Sequence, residues 1–203
     1  MSLLKIYQVL LKYFGPQDWW PMQRGFHPRK WEVEVGAVLT QNTSWKNVEI
    51  ALRNLKEAGI VSRESVRKIP EKRLANLIRP SGYYNQKAKK LRKLAEFSGD
   101  VTRENLLDIW GIGRETADSI LLYAYGKPYF VVDAYTKRIF SRLGLIRSEW
   151  NYEKIREHFE KNLPRETKLY KEYHALIVEL GKNFCKNKPL CRECPLSQLC
   201  KKV

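Results

Sequence analysis

The chain has 203 residues, enough for a real hydrophobic core and for one domain or two small lobes. Lysine and arginine number 38 against 22 aspartates and glutamates, a formal net charge of +16, which points to a polyanionic partner: nucleic acid or an anionic membrane surface. No apolar run nears the roughly 20 residues needed to cross a bilayer, and all four cysteines fall between Cys185 and Cys200, which argues against a secreted disulfide framework and for a metal site in a soluble, cytoplasmic protein.

Taken in chain order, helical periodicity recurs almost everywhere. Ile6, Val9, Leu10, Tyr13 and Phe14 give residues 1–14 an apolar stripe, and Lys5 and Lys12 within it mark a core-facing helix rather than a signal peptide. Asp18-Trp19-Trp20-Pro21 follows, with two adjacent indoles. Leu39 to Trp45 reads as a turn entering a helix, with Gln41, Asn42 and Thr43 as candidate caps. Val48, Leu52 and Leu55, then Ala88, Leu91 and Leu94, continue the pattern between breakers at Gly59, Pro70 and Pro80-Ser81-Gly82. Lys87, Lys89, Lys90, Arg92 and Lys93 form a basic cluster, either a solvated helix face or a phosphate contact. The stretch from Leu106 to Ala117 ends one helix, turns at Gly111 and Gly113 and starts another. Tyr129-Phe130-Val131-Val132 is the one strand-like run, too brief to need a sheet partner. Asp133 precedes the next helical pattern as an N-cap would, and Tyr173, Leu176, Ile177 and Leu180 mark the last long helix.

Cys185, Cys191, Cys194 and Cys200 are separated by five, two and five residues. Four soft thiolates within 16 residues can surround one metal centre. Zinc binds four cysteines, often as two Cys-x2-Cys pairs, and one such pair is present, so zinc stands as the alternative to an iron-sulfur centre.

Leu106 to Ala117, with Gly111-Ile112-Gly113-Arg114, resembles the helix-hairpin-helix motif, and Gly126-Lys127-Pro128 to Asp133 is similar to the Gly/Pro-rich loop and aspartate that follow it in the endonuclease III-like HhH-GPD superfamily of DNA glycosylases. Trp110 stands where that family usually has proline. The cysteine spacing looks like the family's C-terminal four-iron, four-sulfur (4Fe-4S) loop, with a shorter first gap. The resemblance implies an all-α, two-lobed fold: residues 23–132 as a helical barrel lobe containing the hairpin at about 101–125, and residues 1–22 with 133–203 as a second lobe ending in the cluster loop at 185–200, with Asp133 at the seam. It further implies base excision on duplex DNA containing a damaged base, by a monomer. Backbone amides around Gly111, Gly113 and Arg114 would bind phosphate. Gln41 would be either the wedge that fills the hole left by a flipped base or a helix cap. Pro80 to Ala88 resembles a segment preceding a barrel helix, where Tyr83 or Tyr84 could contact DNA. Lys182, Lys186, Lys188, Arg192, Lys201 and Lys202 in and around the cluster loop would face the DNA backbone.

In the same resemblance Asp133 takes the place of the catalytic carboxylate, able to stabilise positive charge on the sugar or orient water while also capping its helix. Bifunctional relatives have lysine directly after the basic residue of the hairpin; here that residue is Glu115, which cannot form a Schiff base, so monofunctional chemistry is expected. Trp19, Trp20, Pro21 and Trp45 resemble the base pocket of the 3-methyladenine glycosylase branch, with Glu115 beside them. Indoles attract a cationic base over their faces by about 0.5 to 2 kcal/mol, and the plainer alternative is that they are core. Three other functions stay open: a glycosylase for uracil or a mismatched base, a bifunctional glycosylase/lyase, and a noncatalytic DNA-binding protein.

Overall fold

The computed structural model describes residues 2–20 and 25–200. Among them every regular element is helical: α1 (Leu3–Phe14), α2 (Arg29–Leu39), α3 (Trp45–Glu57), α4 (Arg63–Lys68), α5 (Glu71–Leu77), a 3₁₀ turn at Arg79–Ser81, α6 (Tyr84–Glu96), α7 (Arg103–Leu107), α8 (Arg114–Ser119), which runs into a π turn at Ile120–Ala124, α9 (Ala134–Arg142), α10 (Tyr152–Asn162) and α11 (Thr167–Asn183). Side chains of Ser2, Ser62, Thr102, Asp133 and Asn151 accept the orphan amides that open α1, α4, α7, α9 and α10. No described helix is long and apolar enough to cross a membrane.

The run Tyr129–Val132 is not a strand. Side chains take over its amides: Phe130 N–H donates to Glu160 Oε1 at 2.9 Å and Val132 N–H to the Tyr152 hydroxyl at 3.4 Å. Backbone donors satisfied in this way require no sheet.

The chain forms two compact units, Met1–Trp19 with Lys127–Val203, and Trp20–Gly126. The division falls a few residues earlier than 22/23 and 132/133, because the loop before Asp133 contributes to the core of the first unit. There Phe130 stacks on Phe159 at 4.2 Å and meets Tyr170 edge-on at 5.3 Å, with Phe140 and Tyr173 completing an aromatic core. Each such ring contributes about 1.5 to 3 kcal/mol by leaving water. Tyr173 also donates its hydroxyl proton to Leu3 O at 2.7 Å, tying α11 to the start of α1. A Cβ at Gly181 would stand 2.2 Å from the Tyr135 ring, so the close approach of α9 to α11 requires glycine at that position.

In the second unit α2 is the central element, buried at every position from Trp31 to Leu39. Two of those positions are glutamates, Glu32 and Glu34. Glu34 pairs with Arg63, whose guanidinium also lies over the Trp31 ring, and accepts the Tyr125 hydroxyl proton at 2.7 Å. Burial and the Glu34 carboxylate push the Tyr125 phenol up to about 12. The basic cluster on α6 divides, with Lys89 and Lys93 exposed as on a solvated face and Lys87 and Arg92 holding the fold. Lys87 is fully buried and donates to Leu39 O at 2.8 Å and Ser81 O at 2.6 Å, Arg92 donates to Arg67 O and Ile69 O, and Lys93 pairs with Glu96.

The two helices of the hairpin are joined by Arg103 on α7 and Asp118 on α8, with Nε to Oδ1 at 2.6 Å and a second guanidinium nitrogen to Oδ2 at 3.1 Å. The Asp118 side chain is completely buried. Removing one partner of a buried pair leaves the other charge uncompensated, so Arg103→Ala should destabilise the protein by about 3 kcal/mol or more. Denaturant unfolding checks this; a change within experimental error would contradict it.

Candidate active site and cysteine loop

Asp133 caps α9. Its Oδ1 accepts the Thr136 amide at 2.7 Å and the Thr136 hydroxyl at 2.8 Å. Its Oδ2 lies 3.6 Å from Nε2 of His174, a buried residue on α11. The Trp19 ring meets the imidazole edge-on at 5.6 Å. Burial alone would raise the carboxyl's pKa, but the His174 imidazole and the two Thr136 donors outweigh it and hold Asp133 below the usual carboxylate range. The cap and the charged group anticipated for chemistry are thus the same side chain. His174 was not anticipated; the signal available was a lone histidine inside an apolar run, Tyr173 to Ile177.

A second cluster lies within the other unit. Trp20 meets Trp45 edge-on at 5.1 Å and Tyr123 at 4.9 Å. A Cβ at Gly36 would lie 3.0 Å from the Trp20 ring, so glycine lets the indole rest against α2. Trp45 donates from Nε1 to Glu49 Oε1 at 3.0 Å. The adjacent Trp19 and Trp20 therefore serve different units, Trp19 against His174 and Trp20 among aromatics. Tyr123 stands on the π turn at Ile120–Ala124. Pro21 lies outside the described residues. Glu115 is exposed in the first turn of α8, where the helix dipole favours a negative charge.

In the hairpin, Gly111 has φ +85° and a Cβ there would strike the Lys90 side chain at 2.5 Å, so glycine is required twice over. Gly113 differs: its φ is −89° and the space beside its Cα is open. Arg114 is exposed, and Trp110 is 57 % exposed in the turn. Gln41 does not cap α3. Its Nε2 donates to Thr116 Oγ1 at 2.9 Å and Gly111 O at 3.3 Å, while its Oε1 accepts from Lys90 Nζ at 2.6 Å. Nor do its neighbours cap: Thr43 Oγ1 accepts from the Asn47 side chain, and the Ser44 N-cap position makes no side-chain cap bond. Gln41 spans three elements because the hairpin turn, α6 and the end of α2 converge there. Tyr83 is exposed with φ +46° ahead of α6, and Tyr84 lies under Arg79.

Cys185, Cys191, Cys194 and Cys200 line one cavity of about 260 Å³ together with Arg142 and Leu190. Burial and then the neighbouring thiols push the Cys194 thiol up, so four thiolates here would require a positive centre to hold them. Among the described residues no three metal-ligating side chains converge as they would around a single ion. α9 grips this loop. Arg138 donates to Cys185 O at 2.8 Å, and Arg142 donates to Cys185 Sγ at 3.3 Å and to Lys186 O at 2.6 Å. Lys182, Lys186, Lys188 and Arg192 are exposed around it, while Lys201 and Lys202 lie outside the described residues.

An all-helical fold with a hairpin, a capped carboxylate and a four-cysteine loop is the assembly that the sequence motifs led us to expect. Residues 35–165 match the family model of the HhH-GPD superfamily base excision DNA repair proteins, and the chain belongs to that family. It is 49 % identical to a Methanocaldococcus jannaschii protein assigned as a DNA repair glycosylase, covering 98 % of this chain and 95 % of the relative. Endonuclease III of Thermotoga maritima is 34 % identical over 83 % of this chain and 81 % of its own. The H. pylori 3-methyladenine DNA glycosylase MagIII, solved with 1,N6-ethenoadenine, superposes with a TM-score of 0.77 at 34 % identity over 90 % of this chain and 98 % of that one. The protein is an endonuclease III-like DNA glycosylase of base excision repair.

Because the folded Asp133 carboxyl is depressed, its ionisation contributes stability that is fully present above the unfolded value of about 3.9 and is lost as pH falls through the lower folded value. Asp133→Asn should therefore flatten the acid limb of the stability curve. Acid unfolding of the two proteins checks this, and superimposable acid limbs would rule it out.

Proposed function

We propose that the protein is a monofunctional N-glycosylase that removes a cationic alkylated purine, most naturally 3-methyladenine, from duplex DNA. The observation that carries the reading is a capped, ionised carboxylate at Asp133 in a chain whose hairpin has Glu115 where an amine nucleophile would stand. Support for the base comes from the Trp20, Trp45 and Tyr123 cluster, since aromatic faces favour a cation over its neutral parent. The H. pylori relative, a 3-methyladenine glycosylase by name, points the same way.

On this reading the C1′–N bond breaks with its electron pair going to the base, which leaves neutral because it carried positive charge. The oxocarbenium charge left on the sugar develops opposite Asp133, whose fixed charge lowers the barrier. Water then adds at C1′ and loses a proton to solvent or to the carboxylate, giving an abasic site without strand cleavage. Gly111, Gly113 and Arg114 hold phosphate. Gln41 is the wedge candidate, and its three hydrogen bonds must open for it to enter the duplex.

Cys185, Cys191, Cys194 and Cys200 would hold a 4Fe-4S cluster. Four thiols ranged around a cavity suit a centre with volume better than one zinc ion. Such a cluster supplies a cross-link that fixes the loop and presents its lysines and arginine to DNA phosphates.

Incubation with methylated duplex DNA, with products separated by chromatography, tests the reaction. Wild-type protein should release 3-methyladenine, Asp133→Asn should be slower by about 10²-fold or more, and borohydride should trap no covalent adduct. Release of a different base, or a trapped adduct, would overturn the substrate or the monofunctional assignment respectively. Cys194→Ala should lose iron and inorganic sulfide together with DNA affinity; stoichiometric zinc in the wild type would replace the cluster reading.

A further inference from the structure

We infer that His174 is a positioning residue for Asp133, the donor that fixes Oδ2 as Thr136 fixes Oδ1. The inference about reaction rate rests on Asp133 being the catalytic carboxylate, but the pairing itself does not.

The two oxygens of Asp133 are served unequally. Oδ1 takes both Thr136 donors at ordinary hydrogen-bond lengths, which anchors one oxygen and limits the turn of the carboxylate about its Cβ–Cγ bond. A contact on Oδ2 narrows that turn further and opposes protonation of the second oxygen, and His174 Nε2 at 3.6 Å is the group the fold places there. Shortening by about half an ångström makes this a hydrogen bond, and such contacts in unliganded sites often tighten once substrate is bound.

The placement of His174 is overdetermined. It is buried on α11, which is held against α9 by the glycine at 181 under the Tyr135 ring, and its imidazole edge is fixed by Trp19. Packing alone has no use for a histidine between Tyr173 and Ala175, where an apolar side chain would fill the space without burying polar nitrogen. Trp19 thereby acquires a function other than lining a base pocket: it is the wall that stops the imidazole from turning away. Oδ2 retains a second lone pair for the reacting sugar.

Charged groups near in sequence to this pair include Lys137 and Arg138 on α9, Lys171 and Glu172 on α11 and Asp18 beside Trp19. Glu172 accepts the Gln17 amide at 2.7 Å. The ionisation of Asp133 is governed by burial, His174 and Thr136.

The test uses His174→Phe, which keeps a ring for Trp19 but has no donor, and His174→Gln, which restores an amide donor near the position of Nε2. His174→Leu replaces the phenylalanine variant if that protein does not fold. The titration of the Asp133 carboxyl is followed by carbon-13 NMR across the acid range in which the protein stays folded. Single-turnover base release and DNA affinity are measured beside it.

The carboxyl should titrate at a higher pH in His174→Phe than in the wild type, with His174→Gln moved back toward the wild type. Base release by His174→Phe should fall on the order of 10 to 10²-fold with DNA affinity unchanged, and His174→Gln should recover most of it. An unshifted carboxyl titration in His174→Phe overturns the pairing, and so does an equal loss in both variants. If the carboxyl follows His174 while the wild type releases no base from any substrate, the pairing stands and the proposed activity fails.

Discussion

A carboxylate held charged while almost removed from water is the constraint around which the first unit is arranged. Desolvation acts against Asp133, and without compensation the group would protonate. Compensation comes from the first turn of its own helix, through the amide and hydroxyl of Thr136, and from an imidazole on another helix. Both require α9 to sit at one depth against α11. Gly181 sets that depth, since a single added carbon would collide with Tyr135. The helix is anchored at its far end as well, where Arg138 and Arg142 donate to the carbonyls and sulfur of the cysteine loop. One nine-residue helix thus has the charged group at its start and the cysteine loop at its end.

The second unit is built on the opposite principle, with polar groups buried so that a turn is rigid before anything binds it. Lys87 joins the end of α2 to the 3₁₀ turn, Gln41 joins the hairpin to α6 through Lys90, and Arg103 with Asp118 locks the hairpin's two helices. Each of these groups would cost several kcal/mol if stranded without its partner. Satisfied, they fix a surface of backbone amides that can meet a phosphate with little further ordering. The charge of +16 is therefore less of a free resource than its size suggests, because part of it is spent inside the protein.

The proposed chemistry turns on one residue of the hairpin and on one residue after it. Glutamate at position 115 cannot attack a sugar carbon as an amine would, so the proposal is electrostatic: the negative charge of Asp133 in one unit and the aromatic faces of the other are each of a kind that favours positive charge.

The family, the all-helical fold, the hairpin and the Asp133 cap were legible in the sequence because each is written in local residues: a glycine that relieves a positive φ at 111, an aspartate before a helical stripe, thiols at close spacing. The tertiary structure alone decided what depends on residues far apart in the chain. Sequence could not separate Trp19 from Trp20, since adjacency says nothing about which unit a ring enters. It read Lys87 as surface, because a lysine's usual environment is water and only the carbonyls of Leu39 and Ser81 make burial tolerable. It offered Gln41 as a cap, but the side chain's partners come from position 90 and from the hairpin at 111 and 116, far away in the chain. It passed over His174, which gains meaning only when α11 brings it to a carboxylate forty-one positions earlier. Motifs determine what a site can contain; the packing of distant helices determines which side chains hold it in place, because a contact between helices is a property of their spacing and not of either sequence by itself.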